Sequence, residues 1–98
     1  FASSCETFGI SLIEGMAAGL PTACSECSAM PEILSNTGLY FDIHDTNSIV
    51  EVLYRLIKSP ELRTKKAKIA HKRAKFFSWD KCANDTFKFF ANIVEKRT

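Results

Sequence analysis

The sequence has 98 residues, 46% hydrophobic and 24% charged, a composition typical of one small globular domain and not of a disordered chain. No apolar run approaches the roughly 20 residues that span a bilayer, and no basic start with a following apolar stretch indicates a signal peptide. The net charge of +2 conceals a division, because all 13 Lys and Arg residues lie in residues 55–98. Such an asymmetry can mark an anionic partner.

The first half of the chain predicts short apolar strands that alternate with helices. A helix is expected to begin near Phe8 or Gly9 and to stop at Gly19, a residue that favours the left-handed conformation, ahead of Pro21. A strand, a loop, a short helix, a turn and a second strand follow at residues 22–24, 25–29, 30–34, 36–38 and 39–41. This alternation favours parallel βαβ pairing.

The second half predicts three helices. Asp45 or Asn47 can cap the first, and Ser59 ends it and caps the second, which has Pro60 at its first position. The apolar residues of the first helix form one face: Ile49, Val52, Leu53, Leu56 and Ile57. Ser78 caps the last helix. Its side chains can cover a core: Trp79, Cys82, Ala83, Thr86, Phe87, Phe90, Ile93 and Val94.

The chain is expected to be part of a larger protein. Two predicted strands are too few for a stable sheet of their own, and the sequence begins without Met. We therefore expect the rest of the sheet to lie upstream.

The four cysteines are expected to be reduced thiols. Cys24 and Cys27 match the C-x-x-C spacing, but a zinc site would need a second pair or histidines at ligand spacing. His44 and His71, the two histidines, are distant in sequence and have no evident catalytic partner. We therefore expect small structural residues here and predict no metal site.

Two acids, Glu6 and Glu14, lie within an otherwise largely apolar and small segment, CETFGISLIEGMAAGLP at residues 5–21. The free amides of a helix start, formed here by residues 7–10, bind phosphate well. Glu6 lies just before them, and Glu14 lies about 7 Å along the axis from Gly9. Because carboxylates accept strong hydrogen bonds from sugar hydroxyls, the pattern indicates a nucleotide-sugar. The alternative is that Glu6 favours the helix dipole and Glu14 reaches solvent.

Residues 6–14, ETFGISLIE, and the GMAAGLP that follows resemble the E-x7-E segment of retaining group 1 (family 4) glycosyltransferases with the GT-B fold. The likeness continues through PEI, TGLYFD, SPEL and FSW, at residues 31–33, 37–42, 59–62 and 77–79. It implies an α/β fold in which residues 1–98 are the C-terminal part of a donor-binding domain. That domain is Rossmann-like, with a parallel sheet, and its second half is rich in helices.

The resemblance also implies roles for single residues. Glu6 would be catalytic and hold hydroxyls of the transferred sugar, and Glu14 would hold the ribose. The implied donor-binding residues are Glu6, Thr7, Phe8, Gly9, Ile10 and Glu14. The reaction would transfer a hexose, with retention, from a UDP-, GDP- or ADP-sugar to a glycan or lipid-linked acceptor, with no metal or cofactor. The family's basic diphosphate clamp and its N-terminal acceptor domain are missing from this sequence, so we expect the chain alone to be inactive.

Residues 58–75 are strongly basic. We expect mainly a solvated helix face, with contact to an anionic membrane surface as the alternative. The resemblance favours a cytoplasmic protein, peripheral at the membrane if that contact exists. No aromatic residues interleave the basic run, so no nucleic-acid partner is expected. Aromatic residues near it and beyond are expected to be core or domain-interface anchors: Phe76, Phe77, Trp79, Phe87, Phe89 and Phe90.

Other functions fit the pattern less well. A nonenzymatic α/β nucleotide-binding or interaction module is the main alternative, and a basic helical nucleic-acid binder is a third possibility. A glycosidase needs two carboxylates across an open cleft, which the apolar context of Glu6 and Glu14 does not offer.

Overall fold

The computed structural model describes residues 1–97, which form five helices and two strands in the predicted order. The elements are α1 (Ile10–Ala17), β1 (Ala23–Ser25), α2 (Met30–Leu34), β2 (Leu39–Phe41), α3 (Thr46–Lys58), α4 (Pro60–Ala74) and α5 (Trp79–Arg97). Two predicted boundaries were wrong by about one residue. α1 begins at Ile10 because Gly9 takes a left-handed conformation, with φ 85°, at the N-cap position. The first strand begins and ends one residue later than predicted.

β1 and β2 pair in parallel, as predicted, with Cys24 opposite Tyr40. Phe1 extends this pairing on the other edge of β1. Its backbone nitrogen donates to the Ala23 carbonyl at 2.9 Å, and its carbonyl accepts the Ser25 amide at 3.1 Å. These two bonds have the pattern of a parallel pair. The carboxyl ends of three parallel segments therefore meet at one edge of the sheet.

One core joins α1, β1, α2 and α4. Its buried side chains are Leu12, Met16, Cys24, Met30, Ile33, Leu34, Ala70 and Ala74. Ala70 and Ala74 lie one turn apart on α4, so this helix can approach the others closely. Burial raises the pKa of the Cys24 thiol to about 11, so this cysteine is a protonated core residue at neutral pH. Within residues 1–97, no group of three or more side chains could hold a metal ion.

The predicted caps and stops are confirmed. The Asp45 carboxylate accepts the Asn47 amide at 3.0 Å, and the Ser59 hydroxyl accepts the Leu62 amide at 3.1 Å. The Ser78 hydroxyl likewise accepts an amide in the first turn of α5. Each cap satisfies a donor that the helix itself leaves unpaired.

α5 contradicts one prediction, because none of its residues is buried within the described part of the chain. Trp79 is 78% exposed, and Phe87, Phe90 and Val94 are exposed too. α5 does have an apolar face, as its sequence pattern indicates. This 19-residue helix projects from the rest of the fold, which does not cover that face. Of the aromatic residues predicted to be core or interface anchors, only Phe77 is half-buried. No helix within residues 1–97 is long and apolar enough to cross a membrane.

Candidate functional site

The segment from residue 2 to Gly9 connects the strand-like Phe1 to the start of α1. It lies beyond the carboxyl end of a parallel strand, the position where open α/β sheets bind their ligands. The Ser25 hydroxyl of β1 donates to the Ser3 carbonyl at 2.5 Å, and the Ser3 hydroxyl donates to the Cys5 carbonyl at 3.2 Å. These bonds fix the beginning of the segment to the sheet edge.

Free backbone donors are concentrated where α1 begins. Within residues 1–97, none of the amides from Glu6 to Ser11 donates a hydrogen bond, and no side chain caps the helix. The Gly9 carbonyl accepts the amides of Leu12 and Ile13, which starts the helical hydrogen bonding. The helix dipole adds a partial positive charge at the same point. The start of α1 is therefore chemically suited to an anion such as phosphate.

Glu14 lies on the outward face of α1. Leu12 and Met16 are buried on the opposite side, whereas Glu14 and Ile10, one turn earlier, are exposed. Helical side chains lean towards the helix N-terminus, which is the end of α1 that carries the free amides. The sequence of this segment is largely apolar and small. In the structure Phe8 and Ile10 are 46% and 49% exposed, because only a narrow stripe of α1 faces the core.

Both predicted acids are at least partly exposed to solvent. Glu6 is half-buried in the segment before α1, and Glu14 is exposed. Neither carboxylate has a salt bridge or a hydrogen bond to another part of residues 1–97. Glu6, the amides of residues 7–10 and Glu14 thus follow one another along the segment that leads into α1 and the first turns of that helix.

The far end of α1 is fixed independently of this stretch. Gly19 has φ 80°, and the amides of Gly19 and Leu20 donate to the carbonyls of Met16 and Gly15 at 3.2 Å each. This is the Schellman arrangement, as the predicted left-handed stop requires. The His71 ring nitrogen Nδ1 also lies 3.0 Å from the Ala17 carbonyl. α1 is therefore held at the end opposite the candidate site.

The basic helix α4 binds the ends of other helices, which the sequence did not reveal. Arg63 donates to the last carbonyls of α3 at 2.7 Å, and Arg73 donates to the Ile33 and Glu32 carbonyls of α2 at 2.6 and 2.7 Å. Lys66 reaches the Asn36 carbonyl at 3.1 Å. These cations face the negative ends of helix dipoles. The expected solvated face is therefore only part of the role of this helix.

Four other lysines form a separate, solvated stripe along α4 and its C-cap: Lys65, Lys68, Lys72 and Lys75. They recur at intervals of three and four residues, so they share one face of the helix. All four are exposed, and none has an ion-pair partner in the part of the chain that the structure describes.

Phe77 contacts the candidate site, which the sequence did not indicate. Its ring meets the Phe8 ring edge to face, with centroids 6.1 Å apart and an interplanar angle of 78°. The Arg73 guanidinium lies 5.7 Å from the centroid of the same ring. Phe8 and Phe77 are far apart in sequence, and no local spacing rule connects them.

A parallel sheet edge that carries a free helix start defines a Rossmann-like α/β domain. Residues 1–73 match the family described as "Glycosyl transferases group 1". The chain therefore belongs to the group 1 glycosyltransferase family, and its fold is that of the C-terminal part of a GT-B enzyme.

Individual relatives agree with this assignment. O-antigen chain mannosyltransferase B of Escherichia coli is 29% identical over 86 residues, which are 88% of this chain and 23% of that protein. Probable sucrose-phosphate synthase 2 of Oryza sativa subsp. japonica is 37% identical over 82 residues, 81% of this chain and 8% of that protein.

A solved structure, sucrose-phosphate synthase from Thermosynechococcus elongatus, superimposes with a TM-score of 0.80 at 23% identity. The match covers 93% of this chain and 24% of that structure. This chain thus spans less than a quarter of the length of these proteins.

Proposed function

We propose that this chain is the C-terminal part of the donor-binding domain of a retaining hexosyltransferase. The donor is a nucleotide-diphosphate sugar, with uridine, guanosine or adenosine as the nucleoside, and the acceptor is a glycan or a lipid-linked sugar. One observation carries the proposal: within residues 1–97 the amides of residues 6–11 donate no hydrogen bond, and Glu6 and Glu14, in the same stretch of the chain, have carboxylates without a partner. Membership of the glycosyltransferase family supports the same assignment.

The proposed division of roles follows from charge. The diphosphate is anionic, so it occupies the amide cluster formed by residues 7–10, where the helix dipole favours negative charge. The carboxylates accept hydrogen bonds from neutral hydroxyls on either side. Glu6 holds the transferred sugar and is the proposed catalytic residue, and Glu14 holds the ribose.

The amide cluster also suits the departure of the diphosphate. Negative charge develops on the leaving phosphate oxygen as the bond to the anomeric carbon breaks. Amide donors that are already oriented towards that oxygen stabilise the developing charge without rearrangement. This contribution comes from the backbone of Phe8, Gly9 and Ile10, and the proposal needs no metal or organic cofactor. Basic groups from the rest of the protein would complete the stabilisation.

The rest of the full-length protein is proposed to pack against α5. An upstream acceptor-binding domain would cover the apolar stripe of α5 that includes Phe87, Phe90 and Val94, all exposed here. The match to sucrose-phosphate synthase covers enough of this chain to extend into α5. This supports the position of α5 within a longer enzyme. Residues 1–98 alone are accordingly proposed to be inactive and to bind donor weakly.

The lysine stripe of α4 supports a peripheral contact with an anionic membrane surface from the cytoplasmic side. Its four cations are exposed and unpaired within residues 1–97, and each Lys near such a surface contributes about 1 kcal/mol. Sedimentation of the full-length protein with anionic and with neutral vesicles tests this contact. Equal sedimentation with both vesicle types, at low and high salt, would exclude it.

The enzymatic proposal is tested by Glu6→Gln and Glu14→Gln in the full-length protein, with Glu51→Gln as the matched control. Glu51 is an exposed acid of α3, a helix that contributes no residue to the proposed site. Loss of a charged hydrogen bond costs about 1.5–3 kcal/mol, so each site variant should lose about 10- to 150-fold in kcat/KM for the donor. A nonenzymatic nucleotide-binding module would show no sugar transfer in the wild type. Site variants as active as the control would refute the assigned roles.

A further inference from the structure

One aromatic pair joins two parts of the chain that are distant in sequence. Phe8 lies in the segment before α1, and Phe77 lies between α4 and α5, where its amide donates to the Ala74 carbonyl at 3.1 Å. The other ring pairs in residues 1–97 lie within α5. Phe77 is half-buried against the core, so its position is set by the body of the fold.

Apart from this ring contact, few interactions hold Phe8 in place. Within residues 1–97, no hydrogen bond to a backbone or side-chain group holds Glu6, Thr7 or Phe8. The bonds that fix the segment stop at Cys5 on one side and begin at the Gly9 carbonyl on the other. The edge-to-face contact with Phe77 therefore bridges the stretch that the hydrogen bonds leave free.

The Phe77 ring is itself constrained from a second direction. The Arg73 guanidinium lies 5.7 Å from the ring centroid, and its nitrogens donate to two carbonyls near the end of α2. An arginine fixed by two backbone bonds cannot move away from the ring without losing them. A continuous series of contacts thus runs from α2 through Arg73 and Phe77 to Phe8.

We infer that Phe77 is a positioning residue for donor binding. It acts through Phe8 and holds the amides of residues 6–11 in the arrangement that receives the diphosphate. This inference rests on the proposed function of the site. Phe77 contacts no reacting atom, so its contribution is preorganisation: the segment loses less freedom when the diphosphate binds.

A double-mutant cycle in the full-length protein tests this role. The affinities of UDP, GDP and ADP are measured by titration calorimetry, and the nucleotide that the wild type binds most tightly is used throughout. Phe77→Ala removes the edge-to-face ring contact, so this variant should bind the chosen nucleotide about 3- to 10-fold more weakly than the wild type. Phe77→Tyr keeps the ring and should restore wild-type affinity. Phe76→Ala removes a neighbouring exposed ring and should bind like the wild type.

The cycle separates positioning from general support of the fold. If Phe77 acts through Phe8, the double variant Phe8→Ala/Phe77→Ala should bind within 2-fold of Phe8→Ala alone. Additive losses, or wild-type affinity in Phe77→Ala, would overturn the inference. If Phe77→Ala does not fold, Phe77→Leu replaces it in the cycle, because leucine keeps most of the apolar volume without the ring. The same affinity outcomes then support or overturn the inference. A wild type that binds none of the three nucleotides would instead overturn the proposed function.

Discussion

Gly9 gives the sharpest test of the amide cluster, because its conformation is the one that alanine disfavours. At φ 85° an L-residue costs about 1–2 kcal/mol. Alanine recovers about 0.4–1 kcal/mol through reduced freedom of the unfolded chain. An added Cβ would meet only the Leu12 Cβ, at 3.9 Å, so steric overlap adds nothing. Gly9→Ala should therefore destabilise the protein by about 1 kcal/mol.

Gly19 provides a matched control at the other end of α1. Its φ is 80°, and an added Cβ would find nothing within 4 Å. Gly19→Ala should therefore lower the free energy of unfolding by a similar amount, measured by denaturant titration of the full-length protein. The two variants differ in where the strain lies. At Gly9, relief of strain turns the peptide planes whose amides are proposed to bind the diphosphate.

Of the two variants, only Gly9→Ala should bind nucleoside diphosphate more weakly than the wild type. Misdirecting one amide that bonds to a charged phosphate costs about 1.5–3 kcal/mol, so nucleoside diphosphate affinity should fall at least about 10-fold. Gly19→Ala should bind like the wild type. Equal affinities in the two variants would refute the role of the Gly9 conformation in the site.

Three further substitutions, one of them with a matched control, test the packing around the site, and each is measured as the free energy of unfolding of the full-length protein. In Gly38→Ala the new Cβ would overlap the Thr22 carbonyl oxygen, so a loss of about 3 kcal/mol is expected, and a neutral effect would contradict the β1–β2 geometry. Ser35 has φ 53°, and Ser35→Gly should raise stability by about 0.5–1 kcal/mol; a loss would show that its backbone lies elsewhere. Arg73→Met should cost about 2 kcal/mol through two lost carbonyl bonds, whereas Lys72→Met, on the exposed face, should cost under about 0.5 kcal/mol. Equal effects of the last two would contradict the capping of α2.

Local chemistry allowed much of the fold to be predicted from the sequence. The caps at Asp45, Ser59 and Ser78 and the stop at Gly19 depend on neighbouring residues alone, and all four are confirmed. The error at the start of α1 has a local cause too. Gly9 ends the preceding segment in a left-handed conformation, and a glycine offers no side-chain cap to mark the boundary.

Interactions between distant residues could not be predicted in this way. Arg73 and Ile33 are 40 residues apart, so nothing in the basic run distinguishes a helix-capping arginine from a solvated lysine. The contact between Phe8 and Phe77 could not be predicted from the sequence for the same reason. The stripe on α5 correctly indicated an apolar face, but periodicity does not say which surface covers it. The roles of Glu6 and Glu14 remain predictions, since their proposed partner is a ligand.

Hydrogen exchange of the full-length protein, measured by mass spectrometry with and without UDP, GDP or ADP, tests the central claim most directly. The amides of residues 6–11 lack acceptors within residues 1–97, so they should exchange rapidly in the free protein. A bound nucleotide should slow exchange in peptides that cover these residues, and should leave peptides from the exposed lysine stripe of α4 unchanged. Saturating binding of a nucleotide with no protection of residues 6–11 would contradict the account.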